Sequence, residues 1–399
     1  MAIREVKLGK VATVKGGKRL PKGINLITKP NPHPYIRVRD LNGKKTLELD
    51  GSFEFVDDET QKAISRYIVT GGDIVLSIVG TIGLVSVVGD SLNEANLTEN
   101  CVKLTSLSGI DRDYLYYYLK SSYGQQEIAR GTVGAVQAKL PIKNIQDISI
   151  PLPDEVTQRK IADILSSLDA KIEVNQRIND NLEQQAQSYF QELFVDNADP
   201  EWAIGTISDL GTVVGGSTPS KAKPEYYTES GIAWITPKDL SINKSKFVSH
   251  GENDITELGL KNSSAAIMPE GTVLFSSRAP IGYIAIAAGE VTTNQGFKSV
   301  VPKPEIGTPF VYFFLKNTLP VIEGMASGST FKEVSGSTMK NVPAVIPDAE
   351  TLAKFSDFCA PIFAQQRILE EQNQSLATLR DNLLPKLMSG EIDVSAVQL

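Results

Sequence analysis

Hydrophobic and polar positions divide the chain into two kinds of segment. In 1–150 and about 200–346, apolar residues come in short runs broken by Gly, Pro and polar clusters, which predicts strand-rich globular parts with tight turns. One short helix is expected in each, over Asp111–Ser121 and Pro309–Asn317. The other two segments are long and helical in pattern. From Asp154 to about Val195 there is neither Gly nor Pro, and Ile161, Leu165, Leu168, Ile172, Asn175, Asn179, Leu182, Ala186, Tyr189 and Leu193 recur in steps of three and four. Such a seven-residue repeat predicts a coiled-coil seam. From Asp348 to about Met388, Phe355, Phe358, Ile362, Gln366, Leu369, Asn373, Leu376, Leu379 and Leu383 do much the same, with Pro361 and Pro385 inside the run. Asn and Gln on a seam weaken packing but fix register and partner. Forty helical residues extend about 60 Å, and a rod of that length needs a partner for its apolar stripe. An antiparallel pairing of the two is expected.

The chain is written twice. Gly16-Gly17-Lys18-Arg19-Leu20-Pro21 is answered by Gly215-Gly216-Ser217-Thr218-Pro219, and Tyr35-Ile-Arg-Val-Arg-Asp-Leu41 by Trp234-Ile-Thr-Pro-Lys-Asp-Leu240. Gly72-Asp-Ile-Val-Leu-Ser-Ile-Val-Gly-Thr-Ile-Gly83 is answered by Gly271-Thr-Val-Leu-Phe-Ser-Ser-Arg-Ala-Pro-Ile-Gly282. Gly131-Thr-Val and Lys143-Asn-Ile match Gly328-Ser-Thr and Lys340-Asn-Val at a spacing of 197 residues. A repeat of this size governs the architecture. The division expected is 1–150, 151–197, 198–346 and 347–399, an α+β chain of two repeated strand-rich domains joined by two long helices.

Charge at first argues against nucleic acid: 40 Lys+Arg stand against 47 Asp+Glu, net −7. Taken by segment, residues 1–150 are net +4, 151–195 net −4, 196–347 net −3 and 348–399 net −4. Residues 1–45 hold 12 Lys+Arg against only Glu5 and Asp40. Lys15, Lys18, Arg19, Lys22, Lys29, Arg37, Arg39, Lys44 and Lys45 fall on expected loops and strand ends, where phosphates and base edges are within reach. The globular parts would meet DNA and the acidic rods would meet protein.

Catalytic constellations are missing from the sequence. His33 and His250 are the only histidines, and Cys101 and Cys359 the only cysteines, which leaves little for His-based nucleophilic or metal chemistry. There is no Gly-x4-Gly-Lys-Ser/Thr phosphate loop. Asn31-Pro-His-Pro-Tyr35 is reminiscent of an adenine methyltransferase motif, but the inserted His spoils the spacing and an extended turn is expected. Pro153-Asp154 with Asp169-Ala-Lys171 imitates a nuclease metal site; on a heptad rod these carboxylates are expected to be solvated. With no charged leader before an apolar run and no long unbroken apolar stretch, a cytoplasmic protein is expected.

Gly-Gly-Ser-Thr-Pro (215–219), Arg278-Ala-Pro-Ile-Gly282, Asn294-Gln-Gly-Phe297 and Gly328-Ser-Thr330 resemble the target-recognition domains of type I restriction–modification specificity (S) subunits. So do Ile150-Pro-Leu-Pro-Asp-Glu-Val-Thr-Gln-Arg-Lys-Ile-Ala-Asp-Ile-Leu-Ser-Ser-Leu-Asp169 and Leu379-Arg-Asp-Asn-Leu-Leu-Pro-Lys-Leu-Met-Ser-Gly-Glu-Ile392. Copy one departs from the pattern: Asn100-Cys101-Val102 is aligned with Asn-Gln-Gly-Phe, and in copy two Leu352 replaces the Gln kept as Gln158. The resemblance implies a non-catalytic subunit whose two domains read the halves of a bipartite asymmetric DNA target. It implies an antiparallel coiled-coil spacer that docks two modification (methyltransferase) subunits, joined by motor-nuclease restriction subunits. S-adenosylmethionine, ATP and Mg would belong to those partners and no cofactor to this chain. Arg37, Arg39 and Arg278 become candidates for base or close phosphate contact, since a guanidinium matches guanine O6 and N7. Lys15, Lys18, Arg19, Lys22, Lys44 and Lys45 are candidate phosphate anchors, with Ser217, Thr218, Lys221, Lys238, Gln295, Lys298 and Lys332 as copy-two equivalents. The alternative is a duplicated-domain scaffold that does not act on DNA.

Overall fold

A computed structural model describes residues 4–41, 43–134, 136–328 and 332–397. The chain forms two compact units, 1–173 with 374–399 and 174–373. Each long helix therefore gives one part to each unit.

In the first unit, Thr13–Gly16, Cys101–Thr105, Ile74–Ser77, Val85–Val88 and Thr46–Leu47 lie side by side in a five-stranded sheet. All neighbours are antiparallel except the last pair. A second sheet orders Glu54–Phe55, Pro34–Ile36 and Asn96–Leu97, and a ribbon pairs Arg4–Lys7 with Ser149–Leu152. The second unit repeats this plan. Gly211–Gly215, Lys298–Pro302, Val273–Ser277, Ile281–Ala287 and Phe247–Val248 follow the same order, again with a parallel last pair. Asn253–Ile255, Ile232–Ile235 and Thr292–Thr293 form the smaller sheet, with Tyr227–Thr228 added at its edge, and Ala203–Thr206 pairs with Pro343–Ile346. Four buried residues in a row at Ile74–Ser77 and five at Val273–Ser277 mark the central strands of the two larger sheets, each covered on both faces.

Two of the repeat matches shift. Isolated bridges join Val133 to Lys139 and Ser327 to Glu333, so Gly134, not Gly131, stands where Gly328 does. Both take positive φ, 100° and 122°, a backbone region that favours glycine, whereas Gly131 ends the helix Ser122–Gly131. Likewise buried Ile145 answers Met339, since Leu8 N–H donates to Ile148 O and Ile207 N–H to Val342 O. Core positions set the register at a spacing of 194, and the letters agreeing at 197 do not.

More helix is present than the pattern predicts. Arg112–Lys120 matches its expectation, but Thr308–Gly324 runs on through Pro320, because Ile322 is buried in the core. Short helices also occupy Asp58–Ile64, Ser122–Gly131, Ile142–Gln146, Pro237–Ile242, Glu257–Lys261 and Gly336–Lys340. They are too short for a 3.6-residue period to register.

The long segments are helices over Glu155–Gln191 and Ala349–Ser389, the latter continuing past Pro361 and Pro385. Within the first unit, Ile161 and Leu165 share a core with Leu384, Leu387 and Met388, and Arg380 Nη1 donates to Asp169 Oδ1 at 2.7 Å. Within the second, Asn175 Nδ2 donates to Asn373 Oδ1 at 2.9 Å, Gln366 Nε2 to Asn179 O at 3.2 Å, and the Tyr189 and Phe358 rings lie 4.5 Å apart, tilted by 53°. In both units rising numbers on one helix meet falling numbers on the other, which is antiparallel packing. The seam differs in detail from the heptad reading. Phe190 and Phe194 are buried beside Tyr189 and Leu193, while Phe358 and Leu379 are exposed and Cys359 and Phe363 lie inside. In the second unit the helices also pack on Phe310 and Phe313 of the globular part, which broadens and turns the apolar stripe.

What couples each globular part to its helices is a lysine that opens the parallel edge strand. Lys246 is buried: Nζ lies 2.8 Å from Glu183 Oε2 and 2.9 Å from Gln366 Oε1, and 3.4 Å above the centre of the Phe363 ring. Lys316 also pairs with Glu183, at 2.5 Å. Burial pushes Glu183 up, but the charges of Lys246 and Lys316 outweigh it and hold the carboxyl well below the usual range. Burial pulls Lys246 down to about 8 against the attraction of Glu183, so it is charged at neutral pH. Lys45 is the counterpart in the first unit, bonded to Ser166 Oγ at 2.7 Å, 3.1 Å from Asp113 and 5.0 Å from the Tyr117 ring centre.

Removing Glu183 strands the buried Lys246 ammonium, so Glu183→Ala should cost the second unit about 3 kcal/mol in denaturant unfolding. Lys45→Ala, at a more exposed pair, should cost clearly less. A depressed carboxyl stabilises fully above its unfolded value of 4.5 and less as pH falls below it. Acid unfolding followed by circular dichroism should therefore lose part of its slope below pH 4.5 in Glu183→Gln.

Candidate nucleic-acid interface

In each unit a glycine pair brings a loop against the smaller sheet. A Cβ on Gly17 would lie 2.0 Å from Thr98 O, and one on Gly216 would lie 1.9 Å from Asn294 O, so neither position admits a side chain. The residue after each glycine is pinned twice. Lys18 N–H donates to Leu97 O at 2.8 Å and Ser217 N–H to Thr293 O at 2.8 Å. Tyr35 OH donates to Lys18 O at 2.7 Å, and Trp234 Nε1 to Ser217 O at 3.0 Å. The strand bearing Tyr35 or Trp234 turns at once into a short helical segment capped by a carboxylate: Arg37 N–H donates to Asp40 and Thr236 N–H to Asp239, each at 2.7 Å. Burial raises Asp40 to about 6, although Arg39 pulls the other way.

These devices shape one concavity per unit. The first, about 410 Å³, is lined by Arg19, Tyr35, Arg37, Arg39, Thr98 and Glu99, among others. The second, about 670 Å³, is lined by Thr218, Lys221, Trp234, Lys238, Arg278, Asn294 and Gln295, among others. Eight sequence candidates thus converge: Arg19, Arg37 and Arg39 in one, and Thr218, Lys221, Lys238, Arg278 and Gln295 in the other. Ser217 lies outside the second lining, and its carbonyl is the acceptor of Trp234. Lys298 is half-buried at 3.6 Å from Glu333, which also lies 3.4 Å from Arg278. Lys15, Lys18, Lys22, Lys44 and Lys332 are exposed, outside the two linings. Lys45 is not at the surface site; its ammonium is spent on Ser166 and Asp113. Ser329 and Thr330 lie outside the described residues.

Most of the cationic residues of the linings carry carboxylate partners. Glu54 pairs with Arg37 and, at 3.0 Å, with Arg39; Glu99 accepts from Arg19 Nε at 2.6 Å; Glu252 pairs with Lys238 at 2.5 Å. Arg37 nonetheless keeps Nε and Nη2 buried without a hydrogen-bond partner, Nε lying 3.6 Å from Asp40, an arrangement that costs free energy. Glu99 was legible only through the repeat, and the expected alignment misplaces it. Thr98-Glu99-Asn100-Cys101, not Asn100-Cys101-Val102, answers Asn294-Gln295-Gly296-Phe297. Thr98 and Asn294 each donate to the strand carbonyl of Ile36 or Ile235 at 3.0 Å, and Gly17 and Gly216 donate to Cys101 O and Phe297 O.

The imitations of catalytic motifs are structural. Asn31 Oδ1 accepts from His33 N–H at 2.8 Å in a local turn before Pro34–Ile36. Asp154 caps the first long helix through Thr157 N–H at 3.0 Å. Asp169, expected to be solvated, accepts from Tyr117 OH at 2.6 Å and from Arg380. Among the described residues no cluster of three His, Cys, Asp or Glu is placed to hold a metal ion, and no helix is long and apolar enough to cross a membrane.

A doubled domain with matched loop frames beside one concavity each defines an α+β repeat protein with two equivalent surfaces. The family follows from comparison: the model of the type I restriction modification DNA specificity domain matches residues 3–184 and again 200–379, and the chain belongs to that family. The type I restriction enzyme MjaIX specificity subunit of Methanocaldococcus jannaschii is 39% identical over 191 residues, 46% of this chain and 44% of that one. The HindI specificity subunit of Haemophilus influenzae is 25% identical over 329 residues, 64% of this chain and 71% of that one. The match thus spans less than half of the MjaIX subunit's length. The crystal structure of a type I restriction-modification S subunit from M. genitalium shares the fold at TM-score 0.58 and 18% identity, covering 97% of this chain and 96% of that one.

Gly17→Ala and Gly216→Ala each force a Cβ into backbone oxygen. Each should destabilise its own unit by at least about 1–3 kcal/mol in denaturant unfolding, while Gly51→Ala, at a glycine with open space around it and no positive φ, should cost less.

Proposed function

We propose that this chain is the non-catalytic specificity subunit of a type I restriction–modification assembly. Residues 1–150 and 198–346 would act as two target-recognition domains, each reading half of a bipartite, asymmetric site on double-stranded DNA. The observation that carries this reading is the pair of concavities: the backbone frame is the same in both, and the side chains are not. Identical frames place two readers equivalently on DNA, and different linings make the halves different.

The helical segments 151–197 and 347–399 serve as spacer and as docking surface for two modification subunits, with restriction subunits joining the complex. Their acidic surface, net −4 in each of 151–195 and 348–399, keeps them off phosphate and suits a protein partner. S-adenosylmethionine, ATP and Mg act in those partners; this chain supplies recognition and geometry.

With its modification subunit present, the full chain should retard duplex DNA in a gel, with affinity falling steeply as salt rises, as expected where cationic side chains meet phosphates. Absence of any DNA binding in that complex overturns the reading in favour of a scaffold that does not act on DNA. Adding one heptad to each long helix, opposite one another, lengthens the pair by about 10 Å, or about three base pairs. Methylation mapping should then return both half-sites unchanged with a longer gap. An unchanged gap rules out the spacer role.

A further inference from the structure

The two loop frames put one pair of side chains at equivalent places in each unit: Arg19 with Glu99, and Thr218 with Gln295. Gly17 and Gly216 fix the first member of each pair two residues on. The turns after Asn96–Leu97 and Thr292–Thr293 fix the second, through Thr98 N–H to Ile36 O and Asn294 N–H to Ile235 O, both 3.0 Å. All four residues line their concavities.

In the first unit the pair is ionic and ordered. Arg19 Nε donates to Glu99 Oε1 at 2.6 Å, and Thr98 Oγ1 donates to Glu99 Oε2 at 3.1 Å. The Arg19 side chain is 81% exposed and that of Glu99 30%. Nε alone is used on Glu99, so on so exposed a side chain the terminal nitrogens of the guanidinium are available beside a half-buried carboxylate. A carboxylate on a DNA-facing surface repels phosphates and base acceptors, and it can only accept. In the major groove the donors are the amino groups of cytosine and adenine, and a guanidinium's best match is guanine O6 with N7. A cytosine amino group lies next to guanine O6 and N7 on the edge of one base pair, so acceptor beside donors meets donor beside acceptors.

We infer that Arg19 and Glu99 together read a single G·C pair in the half-site of the first domain. The inference rests on the DNA-recognition role proposed above. In the second unit Gln295 and Thr218 are neutral. An amide offers both a donor and an acceptor and matches adenine N6 and N7, so the same place in the frame takes a different base pair there.

The test is selection of the full chain, with its modification subunit, on a library of randomised duplex DNA. The unaltered chain should return a bipartite motif with one G·C pair that depends on Glu99. Glu99→Gln should lower the preference for G·C at that one position by about tenfold or more and leave the other half-site as it was. The reciprocal double substitution Thr218→Arg with Gln295→Glu should create a G·C preference at one position of the second half-site. Thermal unfolding of each variant identifies any that fails to fold, and the reciprocal gain is then read on its own. If both variants select the unaltered motif, or if Glu99→Gln only weakens binding evenly across all sequences, Arg19 is a phosphate anchor and the inference falls while the specificity role stands. If the unaltered chain selects no motif, the specificity role falls with it.

Discussion

Each unit depends on an ammonium set between a sheet edge and a helix. Lys246 sits where the parallel edge strand leaves the five-stranded sheet, and Glu183 and Gln366 on two different helices accept from it while Phe363 and Tyr312 enclose it. A buried charge is costly unless it is paired and hydrogen-bonded, so only one placement of the globular part on its helix pair satisfies this one. An apolar contact would hold as firmly but would tolerate sliding. Lys45, with Ser166 and Asp113, places the first unit's edge strand by the same means, with more solvent and fewer rings.

That placement gives the rest its meaning. The frames at Gly17 and Gly216 are backbone held to backbone, so they do not depend on which side chains line the concavity. Tyr35 and Trp234 differ in size, yet each puts a donor on the carbonyl of the residue after the glycine. In the role proposed, recognition chemistry can therefore differ between the units at Arg19 and Thr218, or at Glu99 and Gln295, while the fold stays the same. Carboxylates such as Glu54, Glu99 and Glu252 hold flexible cationic side chains in place before any partner arrives, which lowers the entropy lost on binding.

Much of this was legible in the sequence. The doubled plan, the two long helices and their antiparallel packing follow from apolar period and from repeated Gly-containing loops. What was not legible had physical causes. Matching letters at Gly131 and Gly328 misled because the requirement is a positive φ after a bridge, and Gly134 meets it. The seam drifted from Tyr189 and Leu193 toward Phe190 and Phe194 because the second unit's helices cover a globular core as well as each other. Charge counting put Lys45 among DNA contacts because a count cannot tell a lysine facing solvent from one facing Asp113. Glu99 was passed over because a carboxylate looks wrong on a basic surface until its partner Arg19 is seen beside it.

The partition of the long helices bears on how the protein is made. The core that holds Ile161 and Leu165 also holds Leu384, Leu387, Met388 and Val394, so the first unit is closed by residues synthesised after the whole of the second. Its opening 173 residues must wait, with an apolar stripe uncovered, while the whole of the second unit is synthesised between them and their complement. Shortening the helix at Leu384–Met388 would thus be felt in the core that holds Ile161 and Leu165, and contacts of such long sequence separation slow the closure of that unit.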